Sequence, residues 1–199
     1  SQLIHFSALG ADMKSNSVYS RTKAEGERAL LRQFKTAVIL RPSVVFGPGD
    51  SFFNRFGQMA MIAPALPLIG GGTNKMQPVF VGDVADAVMT ILDPNFSGDQ
   101  FFELGGPKVY TFKELMELTL KAVARKRLLL PVPFAVMSLP AFFAGFLPSP
   151  PVTLDQLTLL KTDNICSAKA SGFAELGIDP SAAEMIVGEY LAAFRPGGR

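Results

Sequence analysis

Residues 37–40, Ala-Val-Ile-Leu, form a short unbroken apolar run that closes on Arg41-Pro42. Four apolar residues bounded by a Pro suit a strand buried on both faces better than a helix. A second run, residues 2–6 (QLIHF), has the same character, with Ser7-Ala8-Leu9-Gly10 as its turn. Between the two lies a polar start, where Asn16 or Ser17 can cap a helix that the spacing carries to about Phe34. Residues 43–50, SVVFGPGD, read as a further extended piece closed by Gly and Pro. Strand, helix and strand in that order make a βαβ unit, so the fold class is α/β.

The same pattern predicts a helix over 53–62, a turn at Gly70-Gly71-Gly72 and a strand over 78–81. Asp83 is placed to cap a helix over 84–92, with Val84, Ala85, Val88, Ile91 and Leu92 on one face. A short strand follows at 101–104. Thr111 and Glu114 have the spacing of a capping box, so a helix should run from there to about Arg125. Residues 128–132 are extended. Ser181 and Glu184 form a second such box before a last helix to about Phe194.

From Leu128 to Leu154 there is no charge. The length would suit a membrane span, but Pro131, Pro133, Pro140, Pro148, Pro150 and Pro151 interrupt it. A short strand and a kinked, buried hydrophobic helix are expected. A partner-binding or membrane-surface patch over 128–151 is the alternative.

Composition narrows the chemistry. The chain has 199 residues, 48% of them hydrophobic, with 19 basic and 17 acidic side chains. A net charge of +2, with basic residues scattered apart from Arg125-Lys126-Arg127, gives no nucleic-acid footprint. One Cys (Cys166) and one His (His5) exclude an internal disulfide framework and make a zinc site improbable. No charged start precedes a hydrophobic run, and cysteine usage fits a reducing compartment. A cytoplasmic location, peripheral on the inner face of the plasma membrane, is the expectation. A chain that opens in mid-strand is expected of the later portion of a longer protein.

Tyr19 and Lys23 stand four apart on one helix face, with Ser7 at the end of the preceding strand. A phenol beside an ammonium ionises more readily and can move a proton to or from a carbonyl or alcohol. The carboxyl edge of an open α/β sheet is where such groups meet a ligand. The pair alone is equally the polar start of a helix. HFSALGAD, YSRTKAEGE, ILRPSVVFGPGD and PVFVGDVADAV together resemble the short-chain dehydrogenase/reductase superfamily in its extended, NAD-dependent epimerase/dehydratase-like branch. FFNRF, LPLIGGG and FFELGGPKVYTFKELM bring the resemblance nearer to bacterial members of the family of the 39-kDa accessory subunit of respiratory complex I, NADH:ubiquinone oxidoreductase.

The resemblance implies the C-terminal part of a Rossmann-like parallel sheet plus a small, mostly helical C-terminal lobe. Residues 1–50 would be a late βαβ part of an NAD(P)-binding domain. Residues 51–199 would be a mixed remainder with a smaller substrate- or partner-binding lobe. Tyr19 would be the acid/base, Lys23 would hold the cofactor ribose and lower the Tyr19 pKa, and Ser7 would orient a substrate carbonyl. The Pro42-Ser43-Val44 backbone would lie beside the nicotinamide, and Asp83 would be structural. No G-x-G-x-x-G or G-x-x-G-x-x-G occurs anywhere in the chain, so the N-terminal nucleotide-binding part of the family is absent and the NAD or NADP site incomplete. The implied function is an accessory-type complex I subunit with a largely structural cofactor. Its partners would be the other complex I subunits or the membrane surface. The competing readings are an active NAD(P)-dependent epimerase, dehydratase or reductase on a small molecule or nucleotide sugar, and an α/β fragment with no ligand.

Overall fold

The structure, a computed structural model, describes residues 3–138 and 153–198. Its chain divides into two compact units. The first takes residues up to 48, 77–109 and 164–186; the second takes 49–76, 110–163 and 187 onward.

In the first unit, strands β1 (Ile4–Phe6), β2 (Val38–Pro42) and β7 (Phe101–Leu104) form a parallel sheet in the order β1-β2-β7. Phe6 pairs with Leu40, and Pro42 with Leu104, so the three carboxyl ends share one edge. Helix α1 (Val18–Gln33) makes the crossover from β1 to β2. Ser17 is its N-cap: the hydroxyl accepts from the Ser20 N–H at 3.3 Å. Alternate β2 residues face opposite ways. Val38 and Leu40 join Val79, Val84, Ala87, Ile91, Phe102, Leu104, Phe173 and Leu176 in one apolar core. That core holds helix α3 (Val81–Ile91) against the sheet. Arg41 turns the other way, toward α1.

A two-residue parallel ribbon, β3 (Val45–Phe46) with β6 (Val79–Phe80), leads into α3. This helix starts at Val81, so Asp83 lies in its first turn and is not its cap. The carboxylate instead accepts from the Ser181 N–H at 2.7 Å and the Ser181 hydroxyl at 3.0 Å. The expected capping box at Ser181 is thereby rewritten. Its hydroxyl is given to Asp83, and Glu184 takes the Lys108 ammonium at 2.8 Å. Asp83 still suits the positive end of α3.

In the second unit, α2 (Phe53–Ile62) matches the expected range. Its first turn is held by Asp50, whose Oδ1 accepts from the N–H groups of Phe52 and Asn54. Helix α4 (Phe112–Ala122) carries the expected capping box: Thr111 Oγ1 accepts from Glu114 N–H, and Glu114 Oε2 accepts from Thr111 N–H. Phe52, Phe53, Phe56 and Phe112 meet edge-on, with centroids 5.1–6.0 Å apart. Two of the three cations at 125–127 are spent near helix ends: Arg125 donates to the Phe194 carbonyl and Arg127 to the Ala60 carbonyl. Strand β9 (Leu128–Val132) pairs in parallel with β4 (Ala65–Ile69), which the pattern of the sequence does not disclose. Pro67 inside β4 argues against a strand, and is tolerated because the sheet has only two strands and Pro can use the free edge. An antiparallel pair, β5 (Lys75–Met76) with β8 (Tyr110–Thr111), completes the unit.

Residues 134–138 are helical, as expected of the start of the hydrophobic helix. Phe134 lies over Ile69 and Leu157, and Gly70 at φ +65° leaves room for its ring. Most of the remaining apolar stretch, 139–151, lies outside the described residues. Among those described, no helix is long and apolar enough to cross a membrane.

Gly106 shows how tightly the first unit closes after β7. A Cβ there would come within 2.2 Å of the Pro78 carbonyl oxygen, which already accepts from the Gly106 N–H at 3.1 Å. Backbone on both sides cannot yield as a side chain can. Gly106→Ala is expected to destabilise the fold by about 2 kcal/mol, read as a lower urea midpoint at unchanged slope.

Candidate functional site

The parallel register brings Ser7 after β1, Pro42-Ser43-Val44 at the end of β2, and Gly105-Gly106 after β7 to one edge of the sheet. Ser7 is fixed by its N–H to the Leu40 carbonyl at 2.7 Å. The residue is 4% exposed, and Oγ makes no close hydrogen bond. The hydroxyl lies near the Glu27 carboxylate, whose charge it helps to hold, so it is only weakly engaged in the fold.

Tyr19 and Lys23 occupy the first two turns of α1, where the Ser17 cap sets the helix register. Lys23 Nζ donates to the Phe6 carbonyl at 3.3 Å, tying the helix to the end of β1 one residue before Ser7. The same ammonium lies 5.7 Å from the Tyr19 ring centroid. Tyr19 is 45% exposed, and burial of the rest pushes its phenol above the ordinary value. Around neutral pH it therefore stands as a proton donor. The lowering by Lys23 that the resemblance implies is not what governs this geometry: the cation sits over the ring, and desolvation sets the direction.

The backbone after β2 is committed to its neighbours. The Pro42 carbonyl accepts from Leu9, the Ser43 N–H donates to Leu104, and the Val44 carbonyl accepts from Val79. The Ser43 hydroxyl donates to Asn164 Oδ1 at 2.5 Å. Asn164 and Gln77 belong to the floor of this edge, and motif spacing gives no hint of either. Gln77 Nε2 donates to the Gly106 carbonyl, and its Oε1 accepts from the Cys166 N–H.

Beneath the site is an ion pair that the reading of the motif passes over. Arg41 Nε and Nη2 donate to Glu27 Oε1 and Oε2 at 2.8 and 2.6 Å. Burial pushes Glu27 upward, but the Arg41 hydrogen bonds, helped by Ser7 and His5, hold it below the usual carboxylate range. Glu27 in turn raises Arg41. The signal was available: 19, 23 and 27 are successive i+4 positions, so Tyr, Lys and Glu share one helix face. His5 Nε2 is buried without a hydrogen bond. Among the described residues no three His, Cys, Asp or Glu side chains converge as metal ligands.

A parallel α/β sheet with Ser7 at its carboxyl edge, and Tyr19 and Lys23 at the start of the crossover helix, is the arrangement expected of a short-chain dehydrogenase/reductase-type protein. Comparison with known proteins agrees: residues 5–105 match the NAD dependent epimerase/dehydratase family. The chain belongs to that family. It is 36% identical over 205 residues to the NADH dehydrogenase [ubiquinone] 1 alpha subcomplex subunit 9, mitochondrial, of Arabidopsis thaliana, covering 98% of this chain and 51% of the relative. It is 32% identical to the Mus musculus protein of the same name, covering 98% and 52%. The chain thus spans about half the length of the curated relatives it matches. Among solved structures, dTDP-glucose 4,6-dehydratase from Bacillus anthracis in complex with NAD shares the fold at TM-score 0.66 and 19% identity, over 96% of this chain and 60% of that one. UDP-glucose 4-epimerase from Thermotoga maritima does so at 0.65 and 16%, over 97% and 63%. The expected cytoplasmic, plasma-membrane-peripheral location is overturned, because the relatives similar over 98% of the chain are mitochondrial proteins.

The Glu27 carboxylate is depressed in the fold, so its stabilisation is present above the ordinary carboxylate pKa and is lost as the pH falls through the folded value. Glu27→Gln should cost about 2–3 kcal/mol near neutral pH. The gap to wild type should narrow in urea titrations run well below the ordinary carboxylate pKa.

Cys166 is pushed up to about 12, first by burial and then by the charge of Glu103. In the folded chain it should react with Ellman's reagent near pH 8 about 10³-fold more slowly than a free thiol, and at the ordinary rate in denaturant.

Proposed function

We propose that this chain is the acid/base-bearing and partner-binding portion of an accessory-type subunit of respiratory NADH:ubiquinone oxidoreductase, in which a bound nicotinamide dinucleotide serves structure more than turnover. The observation that carries this is similarity over 98% of the chain to subunits of that enzyme from a plant and a mouse. Its partners are then the neighbouring subunits of that assembly.

The dinucleotide is NAD or NADP. Residues at the sheet edge fit its nicotinamide end. Tyr19 and Lys23 stand at the start of α1, where they would meet ribose and ring, and the buried Ser7 hydroxyl would face a carbonyl. The Pro42–Val44 backbone would flank the nicotinamide. The sequence has no Gly-rich motif for the pyrophosphate end, which needs a strand, a Gly-rich turn and a helix N-terminus. We assign that cradle to the part of the whole protein that the half-length match leaves over. When bound, the dinucleotide supplies hydride chemistry; this chain supplies a phenol that holds its proton, an ammonium that fixes the helix to β1, and a dry hydroxyl.

A second reading is an active epimerase, dehydratase or reductase, favoured by the presence of Ser7, Tyr19 and Lys23 together. Tyr19→Phe and Lys23→Ala in the whole protein separate the two. For an accessory subunit, Tyr19→Phe should leave assembly into the respiratory complex and its NADH:quinone activity unchanged. Lys23→Ala should reduce dinucleotide retained on native mass spectrometry. A turnover on a small carbonyl or nucleotide-sugar substrate that falls about 10²–10⁴-fold in Tyr19→Phe, with assembly intact, would establish the enzyme instead.

A further inference from the structure

The first unit has an open cleft of about 630 Å³ on the α1 side of the sheet. Ala24 and Leu31 of α1 and Phe101 of β7 give it an apolar floor. Arg41 lies 5.0 Å over the Phe101 ring and is neutralised by Glu27. Lys14, Arg28 and Arg32 line the rim, against the single carboxylate of Asp12. Asp12 is partly used within its own turn, where Oδ1 accepts from the Lys14 N–H at 2.9 Å. Among the described residues, no ion pair takes up Lys14, Arg28 or Arg32.

We propose that this cleft docks an acidic segment of a partner protein. The cations are exposed and spread along the rim; Arg28 and Arg32 lie one helical turn apart, with Cβ atoms about 5–6 Å from each other. A small anion would need donors converging on one point from buried side chains, and the rim offers a line instead. A line of cations above an apolar floor matches carboxylates spaced along a chain, with a few apolar side chains between them. Long-range attraction from such a rim raises the association rate and selects against basic partners. A second copy of this chain is a poor occupant, because a two-fold contact sets the same patch against itself and brings like charges together. The site needs no dinucleotide, so it stands apart from the reading of the Ser7 edge.

The test is binding of fluorescein-labelled decaglutamate to the full chain at low salt, followed by polarisation. Binding is expected, weakening about tenfold or more as salt shortens the Debye length from roughly 14 to roughly 7 Å. The double variant Arg28→Glu/Arg32→Glu should lose at least about tenfold in affinity, with an unchanged unfolding midpoint. The charge-matched control Lys121→Glu/Lys169→Glu should bind like wild type. No binding, equal losses in variant and control, or full affinity in the double variant would overturn the proposal. Two other outcomes would also overturn it: phosphatidylserine vesicles that bind through the same arginines while decaglutamate does not, or self-association of the chain that the double variant abolishes.

Discussion

One ion pair holds the site in place. Glu27 on α1 and Arg41 on β2 meet through two hydrogen bonds where the helix lies on the sheet. Fixing these two elements fixes the rest of the edge. The register of α1 sets where Tyr19 and Lys23 stand, and the register of β2 sets Pro42, Ser43 and, through pairing, the ends of β1 and β7. A buried pair of this kind is poor evidence for extra stability, since desolvating both charges offsets most of their attraction. Its value lies in exclusion: a slip of α1 by one residue would leave a buried carboxylate and a half-buried guanidinium unpaired. Apolar packing alone penalises such a slip less.

The polar groups on that face of the sheet divide into satisfied and unsatisfied. Glu27 and Arg41 answer each other, Ser7 and His5 lend the Glu27 carboxylate weaker support, and His5 Nε2 is left without a hydrogen bond. Natural folds rarely keep orphaned buried polar atoms without a reason. At the carboxyl edge, Gln77 and Asn164 close the floor by hydrogen bonds to backbone and Ser43.

Much of this was legible along the chain, because local rules decided it. The apolar run 37–40, the Ser17 cap, the Thr111 box and the 53–62 helix each depend on a few adjacent residues, and each formed as its pattern implied. Long-range choices were not legible. Asp83 has the look of a cap, but Ser181, far off in sequence, offered it two donors. Strand β4 carries a Pro that local rules count against it, and only its partner 63 positions on, Leu128 against Ala65, makes it a strand. Tyr19 and Lys23 were visible as a pair. That the ammonium would settle over the ring and on the Phe6 carbonyl depends on packing that no spacing encodes.

The interleaving of the two units has a consequence in time. The core that seals one face of the β1-β2-β7 sheet includes Phe173 and Leu176, which belong to the last of the three segments of that unit. On the ribosome, at roughly 5–20 residues per second, the strands exist for many seconds before their final covering residues emerge. Val38, Leu40, Phe102 and Leu104 are incompletely covered during that interval, and the contacts that complete them span most of the chain. Folding of this unit is therefore slow to finish and exposed to aggregation while it waits, the burden that long-range topology places on any chain that leaves and returns to its own core.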